Sequence, residues 1–262
     1  MNCASRVHVR RLAVLLAAAP LVAACGSARG GESAGGADTP PALSGRSHLV
    51  VTTDDGVRLR PADSDRVGVD RHVTGGWSRD GDDWTLDLSC PEHPDHDREC
   101  PRMPVVRVPA HLSVTVQARN AGIDAAGVAA AMDLTTVNGD VVVVGSGLRD
   151  ADVRLTTRNG SVRADAVDSA RLHAETVNGD VTLTAGTSPV RLVAATTNGS
   201  VRVTLPDDAP VYRSEATTGN GRTSVTVPGP GPGEHPRHGM TLTTVNGDVD
   251  AVRDRPADRA TH

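Results

Sequence analysis

The stretch Thr135-Thr-Val-Asn-Gly-Asp-Val141 returns five more times, in close variants, within this chain of 262 residues. Successive repeats place their Asn residues 19 to 26 positions apart. A repeat of this period predicts a stack of similar structural units, and its variable length belongs in the loops. The repeated pairs are Asn138-Gly139, Asn159-Gly160, Asn178-Gly179, Asn198-Gly199, Asn220-Gly221 and Asn246-Gly247.

Apolar residues alternate with polar residues on both sides of each Asn-Gly pair. Before Asn178, for example, Leu172 and Ala174 stand six and four positions away, and Val181 and Leu183 stand three and five positions after it. A period of two is typical of a strand with one buried face. Asn-Gly accepts positive φ at low cost, so each repeat predicts a strand, a tight corner and a second strand.

These repeats predict an all-β fold, a flattened two-walled β-solenoid of about seven rungs of ~20 residues each over residues 110–252. Similar units can stack so that each covers the next and the Asn side chains form ladders. The chain contains no Phe, one Tyr and two Trp, which fits a narrow core of Val, Leu, Ala and Thr. A meander of ordinary antiparallel hairpins is the alternative architecture, and a short helix over Ala125–Met132 is a local alternative.

The first 24 residues have the features of an export signal. Arg10 and Arg11 precede an apolar run from Leu12 to Ala24. This run is too short to span a bilayer, which takes about 20 residues, so residues 1–24 are interpreted as a signal peptide.

The signal ends in Leu21-Val-Ala-Ala-Cys25, which resembles the lipobox of bacterial lipoproteins. The resemblance implies cleavage before Cys25 and lipidation of its sulfur, and a plain cleaved signal is the alternative. Residues 25–46, rich in Gly, Ser, Ala and Pro, are expected to form a flexible tether. The folded part is therefore expected at the extracytoplasmic face of the cell membrane, held there by its lipid anchor.

Residues 47–109 lack the repeat and predict an N-terminal β cap of two hairpins. One hairpin pairs His48–Val51 with Val57–Arg60, and the other pairs the strand of Trp77 with Trp84–Leu88. An atypical unit is expected at this end, because a terminal rung exposes an unpaired edge. Trp77 and Trp84 are interpreted as the core of the cap, with a ligand platform as the alternative.

A short segment within this region carries Cys90, His93, His96 and Cys100. Two Cys and two His residues in such a segment raise the possibility of a zinc site. An exported protein, however, lies where thiols oxidise, so a disulfide between Cys90 and Cys100 is the favoured interpretation. The charged tail at 253–262 has no periodic pattern and is predicted to be disordered.

With these features the chain resembles the bacterial "putative adhesin" family of domains of unknown function, which are β-solenoids of exported proteins and lipoproteins. The resemblance covers about 47–252 and rests on the Asn-Gly-Asp-Val repeats, on Val105-Val-Arg-Val-Pro109 and on the lipobox. It implies a β-solenoid with a non-enzymatic surface role, and it provides no catalytic residues to transfer. The chain departs from the repeat pattern at Asn120 and Arg222.

The residues predict no catalytic site, no cofactor and no metal site. Glycoside hydrolysis needs paired carboxylates, and the outward positions before each Asn hold no such pair on adjacent rungs. Asp140, Asp180 and Asp248 follow the corners and could be imagined as calcium ligands. Because Ser161 and Ser200 interrupt their row, they are interpreted as solvated turn residues.

The net charge is −5, from 27 basic and 32 acidic residues with neither sign clustered, which argues against a nucleic-acid partner. We therefore expect a non-catalytic binding or structural module that meets an envelope protein or glycan. The alternatives are a sensor or regulatory partner of a membrane signalling protein, and an enzyme acting on wall polymers.

Overall fold

The computed structural model describes residue 43, residues 47–70, residue 73, residues 75–89 and residues 103–254. Cys25, Cys90 and Cys100 lie outside these residues, as do the signal peptide and almost all of the expected tether and tail. Leu43, from the end of the expected tether, is buried, and its N–H donates to the carbonyl of Asp65 at 2.9 Å. The ordered chain is thus already packed against the core at this residue.

The described residues form strands and contain no helix, and hence no helix that could cross a membrane. The helix considered over Ala125–Met132 is absent, because two strands meet there at a turn. In chain order the strands are β1 His48–Thr52, β2 Val57–Pro61, β3 Gly68–Val69, β4 Gly76–Asp80, β5 Asp83–Asp87, β6 Val105–Val108, β7 Ser113–Gln117, β8 Ile123–Ala126, β9 Ala131–Thr135, β10 Val141–Val144, β11 Gly147–Thr156, β12 Val162–Glu175, β13 Val181–Ala185, β14 Arg191–Ala195, β15 Val201–Leu205, β16 Tyr212–Asn220, β17 Thr223–Val225, β18 His238–Asn246 and β19 Val249–Arg253.

The rungs form two walls of parallel strands, one strand from each rung in each wall. At the N-terminal edge, β3 and β4 pair antiparallel with β6 and β5. The first wall contains β5, β1, β7, β9, β11, the end of β12, β14, β18 and β16 in spatial order. The second wall contains β6, β2, β8, β10, the start of β12, β13, β15, β19 and β17. The predicted two-walled β-solenoid is confirmed, and the antiparallel meander is wrong.

The rungs do not stack in chain order at either end. The last rung of the chain, β18 and β19, lies between the rung of β14 and β15 and the rung of β16 and β17. The first rung, β1 and β2, lies likewise between the rung of β5 and β6 and the rung of β7 and β8. The first and last strands of the described chain are therefore paired on both sides.

The N-terminal cap differs from its prediction in one of the two hairpins. The hairpin of β4 with β5 is present, with Trp77 opposite Leu86 and the rings of Trp77 and Trp84 edge to face at 6.4 Å. The predicted hairpin of β1 with β2 is wrong. These strands stand in opposite walls, and the turn at Asp54-Asp-Gly56 is a solenoid corner between them.

The core is a row of inward Val, Leu and Ala side chains from both walls, as the alternation predicts. Leu172, Leu183 and Leu192, for example, are at most 1% exposed. The outermost C-terminal rung departs from this pattern, since Thr223 and Val225 of β17 are exposed and Tyr212 fills the end of the core. The Tyr212 hydroxyl donates to the carbonyl of Pro189 at 2.6 Å, and burial raises its pKa well above the ordinary value.

Each corner glycine lies directly against the corner of the preceding rung. Gly179 has a φ of +147°, and a Cβ at this position would collide with the backbone carbonyl of Gly160. The same contact recurs between Gly160 and Gly139 and between Gly199 and Gly179. The glycine is therefore required both by its backbone conformation and by the close stacking of rungs.

We expect Gly179→Ala to reduce the free energy of unfolding by about 3 kcal/mol, because strain and overlap act together. Gly145→Ala is the matched control: Gly145 also has positive φ, at +52°, but nothing lies within 4 Å of a Cβ built there. Gly145→Ala should reduce the free energy of unfolding by about 1 kcal/mol, because only the positive φ is unfavourable for Ala. Denaturant unfolding of both variants checks this, and equal losses would contradict the stacking requirement.

Candidate functional site

The repeated Asn residues form a ladder along one edge of the solenoid. Five of the six side-chain amides donate from Nδ2 to Oδ1 of the Asn on the neighbouring rung, at 2.9 Å. The side chains are exposed, so the ladder runs along the surface. In spatial order it contains Asn138, Asn159, Asn178, Asn198, Asn246 and Asn220. These Asn side chains hold neighbouring rungs together.

The Thr residue two positions before each Asn has a structural role that the sequence analysis missed. Its hydroxyl donates to the corner carbonyl of the adjacent rung at 2.7–2.8 Å. In Thr176, which is 2% exposed, this bond reaches the carbonyl of Gly160. The presence of Thr at this position in every repeat could have indicated the role. The alternation places this Thr on the inward side, but it does not show which group the hydroxyl bonds.

The residues that follow the corner glycines form a second surface row. In space their order is Asp140, Ser161, Asp180, Ser200, Asp248 and Arg222, so two carboxylates never stand on adjacent rungs. A side-chain oxygen on each rung accepts a hydrogen bond from the next backbone N–H, at 2.8–3.3 Å. Across the described residues, no group of three or more His, Cys, Asp or Glu residues is placed to hold a metal ion.

We expect Asp180→Asn to change the free energy of unfolding by no more than about 0.5 kcal/mol. Oδ1 of Asp180 accepts from the N–H of Ser200 at 2.8 Å, and Asn keeps that acceptor. Asp180→Ala removes it and should cost about 1 kcal/mol. Thermal and denaturant melts check both values. A severe loss in the Asn variant, reproduced in the parent protein by a calcium chelator, would identify the Asp row as a metal site.

An open groove of about 620 Å³ crosses the outer face of the first wall near the N-terminal end. We call it the first-wall groove. It crosses β1, β7 and β9, and the outward positions of these strands carry hydroxyl, amide and carboxylate groups beside apolar surface. Its polar groups include those of Thr52, Thr115, Gln117, Arg119, Asp133 and Thr135.

Charges at the rim of the first-wall groove are partly balanced by each other. Arg119 lies 3.8 Å from a carboxylate oxygen of Asp54. Burial alone would raise the pKa of Asp87, but hydrogen bonds from Ser89 and Thr52 outweigh it and hold the pKa below its ordinary value. Asp87 is therefore ionised at neutral pH. The groove thus offers many neutral donors and acceptors together with an excess of carboxylates, Asp54 and Asp133 against Arg119, which suits a polar ligand with hydroxyl or amide groups.

Three side chains beside the groove form a hydrogen-bonded row that resembles a catalytic relay. Nδ1 of His48 lies 3.2 Å from Asp83, and Nε2 lies 2.8 Å from the Thr115 hydroxyl. When Nδ1 donates to Asp83, Nε2 accepts from Thr115. Acyl transfer also needs donors aimed at a developing oxyanion. Thr115 lies mid-strand between β1 and β9, where the backbone N–H groups belong to the ladders, so the row lacks this element.

Comparison with known proteins identifies a family. The family model described as Toastrack DUF4097 matches residues 111–252. No curated protein sequence matches the chain. A solved structure titled as a "putative cell adhesion protein" from Clostridium sporogenes ATCC 15579 is 9% identical, with a TM-score of 0.35. The match covers 82% of this chain and 96% of the other.

Proposed function

This chain belongs to the Toastrack DUF4097 family, and from that premise we propose that it is a surface-anchored lipoprotein whose solenoid is a non-catalytic binding or structural module in the bacterial envelope. The first-wall groove carries this proposal. The hydroxyl and amide groups of Thr115, Gln117 and Thr135 stand on parallel strands in fixed register, so they are preorganised for binding. A glycan or an extended polypeptide presents the complementary groups.

The hydrogen bonds at the corners support a role in recognition. Thr hydroxyls bond the backbone of the neighbouring rung and Asn amides bond each other, so most of the corner contacts lie outside the outward face of the first wall. The outward residues of β7 and β9 can then serve a partner without weakening the core. A sensor or regulatory partner of a membrane signalling protein would use the same surface, and the partner caught there distinguishes the two roles.

The anchor in this proposal rests on the lipobox-like sequence before Cys25, which lies outside the described residues. Two acyl chains on one Cys would hold the protein stably at the membrane, whereas one chain gives marginal binding. In this arrangement the chain from the anchor is already packed against the core at Leu43, before β1, one of the strands that the first-wall groove crosses.

We expect Cys25→Ala either to release the protein from the membrane or to leave it unprocessed, because the acylated sulfur is lost. Membrane fractionation followed by mass measurement of the N-terminus checks this. If the Ala variant still fractionates with membranes after its signal is removed, the anchoring proposal is wrong.

A photoreactive amino acid at Thr135 should capture an envelope protein or glycan in intact cells, because Thr135 lies in the first-wall groove. Thr204 is the matched control, since it is a half-buried Thr facing outward from the second wall. Capture at Thr135 but not at Thr204 supports the proposal. Capture at neither position, or equally at both, counts against it. Turnover of a wall polymer that is lost in Thr115→Val would favour the enzymatic alternative.

A further inference from the structure

The first wall carries a second groove at its other end, open to solvent and about 450 Å³ in volume. We call it the basic groove. Its lining includes three arginines, Arg191, Arg213 and Arg237, and one carboxylate, Glu215. This local excess of positive charge contrasts with a net charge of −5 for the whole chain. The groove lies on β14, β18 and β16, where the last rung of the chain is inserted.

The arginines stand along a row that crosses the rungs. In spatial order this row holds Asp152, Arg171, Arg191, Gly239 and Arg213. Arg171 and Asp152 are 2.8 Å apart and neutralise each other. Within the described part of the chain, no carboxylate lies within ion-pair distance of Arg191, Arg213 or Arg237; the one polar neighbour of Arg213 is Nδ1 of His235, at 3.5 Å.

Gly239 lies between Arg191 and Arg213 in this row and leaves a gap between their side chains. It separates Arg191 from Arg213 by two strand spacings, which is about 10 Å between Cα atoms. Gly239 has no side chain to fill the space, and a Cβ built there would meet only the Arg213 carbonyl oxygen, at 4.0 Å. The two guanidinium groups can therefore converge on one anion from opposite sides. Thr241, from the adjacent position on β18, adds a hydroxyl to the same lining.

We propose that the basic groove binds phosphate groups carried on an extended anionic polymer of the envelope. A guanidinium matches phosphate through paired hydrogen bonds, and a tetrahedral phosphate can accept from two arginines at once. A carboxylate also accepts paired hydrogen bonds from a guanidinium, but its two oxygens are coplanar, whereas the tetrahedral oxygens of phosphate suit two guanidinium groups that approach from opposite sides. Each exposed arginine contributes little alone, so useful affinity requires a ligand that presents several phosphates to the groove together.

The position of the basic groove favours a polymer over the lipid surface that holds the anchor. From β1, the first strand after the tether, to β18 there are six strand spacings, which is about 30 Å. The groove is thus at the far end of the solenoid from the tether. This step rests on the anchor proposed above, whereas the phosphate chemistry rests on the arginines alone.

The test is binding of the full chain to fluorescently labelled polyphosphate, followed by fluorescence anisotropy. The double variant Arg191→Gln with Arg213→Gln should bind about tenfold more weakly. The matched control is Arg154→Gln with Arg202→Gln, which removes the same charge from exposed arginines outside the groove and should stay within about twofold. Glu215→Gln should bind more tightly than the parent, because it removes the carboxylate from the groove. Thermal melts verify that each variant is folded.

Two results overturn the proposal. One is the absence of polyphosphate binding, or an equal loss in the two double variants, which would show only general charge attraction. The other is tighter binding to phosphatidylglycerol vesicles than to polyphosphate, lost in the same groove variant, which would assign the groove to a lipid headgroup. Neither result changes the expected outcome of the Cys25 or Thr135 experiments. The proposed function is therefore tested independently of the basic groove.

Discussion

The structure depends on the spacing of parallel strands, about 4.8 Å, which must be kept along both walls and around every corner. A corner can keep this spacing only where no side chain separates consecutive backbones, which is why Gly160 and Gly179 stack directly. Once the corners stack, polar groups at equivalent positions of neighbouring rungs come within hydrogen-bonding distance. The Asn amides, the Thr hydroxyls and the Asp and Ser oxygens then pair from rung to rung, as illustrated by Asn178, Thr176 and Asp180.

Much of the fold could be predicted from the sequence because its information is local. Alternation around Asn178 identifies the strands, and Asn-Gly identifies the corner. The order of the rungs could not be predicted, because residues 206–211 and 226–237 connect rungs without indicating which neighbour the next rung will join. The prediction that β1 pairs with β2 was wrong for a similar reason. Asp54-Asp-Gly56 allows a hairpin, but only contacts with β5 and β7, distant in sequence, decide between a hairpin and a corner.

The candidate sites were harder to predict than the fold. The sequence shows which residues face outward, but a groove depends on which strands become neighbours. Arg191 and Arg213 flank Gly239 only because β18 is inserted between β14 and β16. His48 likewise meets both Asp83 and Thr115 only because β1 is inserted between β5 and β7. Both grooves therefore lie where the rungs leave chain order, and the regular middle of the solenoid separates them.

The double pairing of β1 has a mechanical consequence for a protein held by its N-terminus. Tension on the N-terminus first loads Leu43, which is buried and bonded to Asp65, and then β1, which is bonded to β5 on one side and β7 on the other. An edge strand would peel away by losing the bonds of one ladder in turn. An inserted strand leaves only by breaking two ladders, and Val51 of β1 must also be drawn out of the core. The inserted first rung therefore acts as a clamp that transmits load from the tether to the solenoid without unravelling it.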